Sequence, residues 1–142
     1  MLSSKCNYAL KAMLELAKHE GAGPITILDI ANAQHIPARF LEAILRQLKQ
    51  AGFTESVRGK KGGYVLAKSS RMIRLGDVIK VMEGPLFQLS GHAAASDTPD
   101  LFEEIWKRAN HALESVYNDV SFFDLVQMDQ DMSRNRVMDF TI

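Results

Sequence analysis

Arg39, Glu42 and Arg46 stand three and four residues apart, the spacing that brings side chains onto one face of an α-helix. An arginine fork matches the O6/N7 edge of guanine, and a carboxylate accepts from the cytosine amino group. Arg39 and Glu42 therefore suit base reading in a major groove. Arg46, with Gln47 and Lys49 beside it, suits phosphates. Further along, Arg58-Gly59-Lys60-Lys61-Gly62-Gly63 gathers three cations on a glycine-rich turn. Glycines let such a turn bend tightly and approach a sugar–phosphate backbone. An arginine beside them is matched to the negative potential of a narrow minor groove. An ordinary exposed hairpin also carries solvated lysines, so this turn decides little without its context.

Charge along the chain supplies part of that context. The net charge is zero, which on its face argues against a polyanionic partner. Residues 1–74, however, hold twelve Lys/Arg against five Asp/Glu, a balance of +7, and residues 75–142 hold five against twelve, a balance of −7. A basic half joined to an acidic half implies that only the first meets double-stranded DNA.

Other chemistries find little footing. No nucleophile has a base in a recognisable motif, no acid pair stands out, and Gly-x-x-x-x-Gly-Lys-Ser/Thr is absent, so an enzyme is not expected. Cys6 is the single cysteine, which excludes an internal disulfide. Its place in the first turn of a helix beside Lys5 would lower a thiol pKa, making it a candidate redox residue. His92, Asp97 and Asp100 are scattered, so no metal or other cofactor is expected. No apolar run is long enough to span a bilayer and the start has no secretory h-region, so the expected location is cytoplasmic, without membrane contact.

The elements that must position these residues follow from periodicity and punctuation. Ser3 or Ser4 suits the cap of a first helix to about residue 18, with Ala9, Ala12, Met13, Leu16 and Ala17 as its apolar stripe. Gly21, Gly23 and Pro24 break the chain. Thr26 caps a second helix over 27–34, and His35-Ile36 makes a turn. Pro37 is expected at the first position of a third helix ending near Gly52, with Phe40, Leu41, Ile44, Leu45 and Leu48 facing the core. The period then changes to two over 53–58 and 64–67, a hairpin around the basic turn. A fourth helix covers about 75–82 and stops at Gly84-Pro85, before a loop over 86–98. A long helix follows to about residue 118, then a short one from Ser121 with Asp124 at the capping-box position. The run 137–140 fits either a strand or disorder.

Two helices joined by a tight turn, then a basic hairpin, make a winged helix-turn-helix. The expected fold is mainly α with a small β-hairpin wing and a long dimerisation helix. It divides into a DNA-binding domain (1–83), a linker and possible effector loop (84–98), and dimerisation helices with a tail (99–142). In the long helix Leu101, Ile105, Ala109, Ala112 and Val116 form one stripe, broadened by Phe102, Trp106 and Leu113. So wide an apolar face calls for a second subunit, and a two-fold homodimer reads a pseudo-palindrome.

The order of motifs resembles the bacterial winged-helix regulators that include the iron–sulfur regulator IscR, the nitric-oxide sensor NsrR and the cysteine-metabolism repressor CymR. The resemblance rests on the segments 8–14, 30–37, 40–45 and 48–52, on Ser56-Val57-Arg58-Gly59-Lys60-Lys61-Gly62-Gly63-Tyr64-Val65-Leu66, and on 73–79. It implies that Arg39 and Glu42 read bases, that Arg58 enters the minor groove, that the long helix builds a dimer, and that repression is the commoner outcome. The cluster-binding members carry three cysteines before the long helix, where this chain has none. Iron–sulfur ligation needs thiolates and is not carried over. The implied signal is a regulatory protein or a small-molecule effector. The rival reading is a winged-helix module that docks an acidic protein without sequence-specific DNA binding.

Overall fold

A computed structural model describes residues 2–84 and 100–140, with side chains to residue 137. Helix α1 (Ser4–Lys18) begins where the Ser3 hydroxyl accepts from the Cys6 amide at 3.1 Å. Helix α2 (Ile27–Gln34) begins where the Thr26 hydroxyl accepts from the Asp29 amide at 3.1 Å. His35 ends α2 in the left-handed region, φ 55°, and its amide donates to the Ala31 carbonyl. That turn delivers the chain to α3 (Ala38–Gln50). Pro37 sits one position earlier than expected: with ψ 123° it is extended and occupies the cap, not the first helical position.

Strands β1 (Thr54–Val57) and β2 (Gly63–Leu66) pair antiparallel, Thr54 opposite Leu66 and Val57 opposite Gly63. Ile25 joins them through reciprocal backbone bonds to Tyr64, 3.1 and 2.8 Å, so the segment before α2 is stitched to the wing. Gly63 makes that junction possible. Its φ is 152°, and a Cβ there would run into the Ile25 carbonyl.

A 3₁₀ turn (Ser70–Met72) leads into α4 (Leu75–Glu83), and α5 (Leu101–Asp119) and α6 (Phe122–Phe140) complete the described chain. The core takes Ala9, Met13 and Leu16 from α1, Ile30 from α2, Leu41, Ile44, Leu45 and Leu48 from α3, and Val78 from α4. It also takes Phe122, fully buried, from the start of α6. The winged domain is thus closed by a residue from beyond the expected linker. Two backbone bonds hold it there: the Leu75 amide donates to the Val120 carbonyl (2.8 Å) and the Phe122 amide to the Ile73 carbonyl (3.0 Å). Gly76 lets the end of α5 come close, because a Cβ there would collide with the Asn118 side chain and lie 2.9 Å from the Tyr117 ring.

The buried Glu15 carboxylate receives Lys18 at 3.3 Å, and Lys18 also reaches Asp129 of α6 at 3.4 Å. Burial works against the Lys18 charge, but the two carboxylates outweigh it and hold its pKa above the ordinary value.

Three further sequence expectations need correction. Phe40, assigned to the core stripe, is 41% exposed, because it lies on the flank of α3. The last helix is not short but runs to Phe140, with neither glycine nor proline to stop it. The run 137–140 is accordingly helical in place of strand or disorder.

Candidate nucleic-acid interface

The outer face of α3 carries Arg39, Glu42 and Arg46, all exposed, opposite the buried Leu41, Ile44, Leu45 and Leu48. Arg46 Nη2 lies 3.3 Å from Glu42 Oε1, so two of the three expected DNA contacts pair with each other. A pair this exposed is worth under about 1 kcal/mol and gives way readily to an incoming base or phosphate. Arg39 makes no ion pair among the described residues; its guanidinium lies over the Phe40 ring, 4.7 Å from the centroid. Phe40 also stacks with Tyr8 of α1, centroids 5.8 Å apart and planes 22° from parallel. Sequence reasoning missed this Tyr8–Phe40–Arg39 group, since helical period alone places Phe40 at the border of the apolar stripe.

The wing holds Arg58, Lys60 and Lys61 in solvent at its tip. The Gly62 amide donates to the Gly59 carbonyl at 3.0 Å, and a Cβ at Gly62 would collide with the Val57 carbonyl. Helix and wing are tied together: Lys49 Nζ donates to Ser56 Oγ at 2.8 Å, and the Thr54 hydroxyl to the Leu45 carbonyl at 3.3 Å. Lys49, expected to suit phosphates, stays exposed while it donates to β1. The two cationic surfaces are therefore set relative to one another before any ligand arrives.

Helix α5 has no buried residue. Along its expected stripe Leu101 is 85% exposed, Ile105 48% and Val116 66%, Ala112 is exposed and Ala109 half-buried. Asp100 caps the helix, its carboxylate accepting from the Phe102 amide at 3.0 Å. His92, Asp97 and the whole of the expected effector loop beyond Gly84 lie outside the described residues.

Cys6 departs from expectation. The helix N-terminus and Lys5 were to lower its pKa, yet the thiol is fully buried and burial pushes it up to about 11, with the nearby Glu83 carboxylate adding to the rise. The thiolate that a reactive cysteine requires is scarce at neutral pH. Glu83, 80 residues away in sequence, accepts from both the Ser3 hydroxyl (2.6 Å) and the Ser3 amide (2.8 Å), which hold its carboxyl below the usual range.

A helix-turn-helix rigidly joined to a two-stranded wing, with exposed cations on both, defines a winged-helix DNA-binding protein. Residues 2–128 match the model of the Rrf2 family, described as an iron-dependent transcriptional regulator. The chain belongs to the Rrf2 family and is a transcriptional regulator of the helix-turn-helix type. It is 35% identical over 124 residues to the regulator CymR of Bacillus subtilis, covering 87% of this chain and 88% of that one. Against IscR of Vibrio atlanticus it is 32% identical over 129 residues, 89% and 75% of the two chains. Among solved structures, CymR, the global cysteine regulator of B. subtilis, superposes with a TM-score of 0.82 at 34% identity, covering 90% of this chain and 97% of that one. The IscR of T. potens gives 0.80 at 30%, covering 93% and 90%.

The family description names iron, but this chain's donors do not fit a cysteine-ligated centre. Its one thiol, in the first turn of α1, is buried, and no cluster of three metal-binding side chains occurs among the described residues. Among those residues no helix is long and apolar enough to cross a membrane.

Proposed function

We propose that the protein acts in the cytoplasm as a homodimeric repressor, and that α3 of each protomer enters a major groove of a pseudo-palindromic operator while the wing lies in the adjacent minor groove. Arg39 and Glu42 contact base edges, Arg46 exchanges Glu42 for a phosphate, and Arg58 enters the minor groove with Lys60 and Lys61 on the flanking backbone. The observation that carries this reading is the pairing of an exposed Arg39/Glu42/Arg46 face with an exposed Arg58/Lys60/Lys61 tip, locked together through Lys49 and Thr54. The dimer forms through α5, whose apolar stripe holds no buried residue and is largely exposed among the described residues. A regulatory protein or a small molecule supplies the signal.

Fluorescence anisotropy on DNA from upstream of the protein's own gene tests this across a salt series. The expected Kd is on the order of 10⁻⁸ M or tighter, with a steep loss as salt rises and clear preference over scrambled duplex. Arg39→Ala and Arg58→Ala should both lose the preference. Indifference of both variants, or absence of DNA binding at low salt, would transfer the basic face to an acidic protein partner.

A further inference from the structure

Between the first turn of α1 and the flank of α3 lies a cleft of about 420 Å³, lined by Lys5, Tyr8, Arg39, Phe40, Ala43 and Ile44 among others. Its walls are mostly carbon. Tyr8 and Phe40 present stacked rings, and Ala43 and Ile44 add aliphatic surface. Its rim is cationic, since Lys5 and Arg39 line it, no acid does, and neither forms an ion pair with any described residue. The volume falls in the range of small-molecule sites and has room for a single-ring compound. Aromatic walls select a flat apolar body, and two uncompensated cations select an anion attached to it. Duplex DNA would offer this space phosphate charge and at most a thymine methyl, because its ring faces are stacked within the helix.

We propose that the cleft binds a small aromatic carboxylate, its ring against Tyr8 and Phe40 and its carboxylate held by Lys5 and Arg39, and that occupancy weakens DNA binding. The coupling follows from Arg39, which faces both ligands: a guanidinium engaged with a carboxylate beside Phe40 is withdrawn from the base edges. This second half rests on the base-reading role proposed for Arg39; the binding half does not. By linkage, operator DNA weakens carboxylate binding by the same factor.

The test uses the full chain with phenylacetate as probe and its neutral counterpart phenylacetamide as control. Isothermal titration without DNA should show saturable binding of phenylacetate at millimolar or lower concentration and much weaker binding of phenylacetamide. Lys5→Gln should weaken phenylacetate at least about tenfold, the loss of one charge-assisted contact. Ala43→Trp, at an exposed position that leaves the core intact, fills the cleft and should abolish it. In anisotropy, phenylacetate should shift the operator titration of the wild type to weaker binding and leave that of Ala43→Trp unmoved. No saturable binding, or binding unaltered by both variants, overturns the proposal. Binding that leaves the operator titration unmoved overturns the coupling alone. If both variants impair DNA binding while phenylacetate fails to bind, the cleft is a DNA-contact surface, which overturns the ligand site and leaves the regulator reading standing.

Discussion

Helices α3 and α5 are both amphipathic, and they use their two faces in opposite ways. In α3 the apolar face is consumed, with Leu41, Ile44, Leu45 and Leu48 buried, and the exposed face is charged. In α5 nothing is buried, and Leu101, Phe102, Ile105 and Val116 lie in solvent. A folded protomer that satisfies one helix and leaves the other open assigns them different work. The charged face of α3 is available to a polyanion without disturbing the core, whereas α5 presents apolar surface that the other described residues leave exposed. The elbow between α5 and α6 is nevertheless fixed, by the backbone bonds to residues 73 and 75 and by Phe122 in the core. The same bonds and Phe122 join α5 and α6 to the domain that carries α3 and the wing.

The largest expected effect separates the two apolar faces. Leu41→Ala removes a fully buried side chain and should cost about 2–5 kcal/mol in urea unfolding at any protein concentration. Leu101→Ala, in the open face, should leave a dilute monomer within about 0.5 kcal/mol of wild type and lower stability only where the dimer forms. Equal losses for the two at low concentration would break the comparison.

Next is assembly. Ile105→Glu places a charge in the middle of the α5 stripe, and sedimentation at micromolar concentration should find a monomer whose circular dichroism is unchanged. Operator affinity should fall with it, because half-sites then bind independently. A dimer that persists in Ile105→Glu would move the interface to another face.

The charged face yields smaller and more discriminating effects. Arg39→Ala should cost about 1–3 kcal/mol on the operator and relax preference at one base-pair position. Lys60→Ala should weaken all duplexes alike and lower the slope of log K against log salt by about one. Reversal of these two patterns would exchange base-reading and backbone roles between helix and wing.

How much of this was legible in the sequence follows the range of the interactions involved. Caps at Ser3, Thr26 and Ser121, the hairpin, and the ends of α4 depend on residues within a few positions of one another, and the local signals place them well. Arg39, Glu42 and Arg46 share their face because helical geometry alone requires it. The features that escaped depend on distant partners. Phe122 enters the core only through the pairing of residues 73–75 with 120–122, which no periodicity announces. Phe40 leaves the core because Tyr8, from another helix, offers it a ring. Lys49, still exposed, donates to Ser56 across a turn. Cys6 was misjudged from its own helix end, when burial and a carboxylate from α4 set its acidity.

That carboxylate supports the smallest effect. The Ser3 hydrogen bonds depress the pKa of Glu83 in the folded chain, and the bonds from Ser121 do the same for Asp124. A carboxyl with a lowered folded pKa stabilises the fold above its unfolded value, near 4, and that contribution is lost as pH falls through the folded value. Wild type should accordingly lose stability on acidification through this region. Glu83→Gln should lose less over the same interval, because the amide does not titrate, and should start from a slightly lower stability at pH 7. Thermal unfolding from pH 7 to pH 3 measures both. Parallel curves for the two proteins would mean that the Ser3–Glu83 contact between α1 and α4 contributes nothing to folding. A flatter curve for Glu83→Gln would identify it as a clasp holding the first turn of α1, beside which Tyr8 meets the reading helix, against the end of the winged domain.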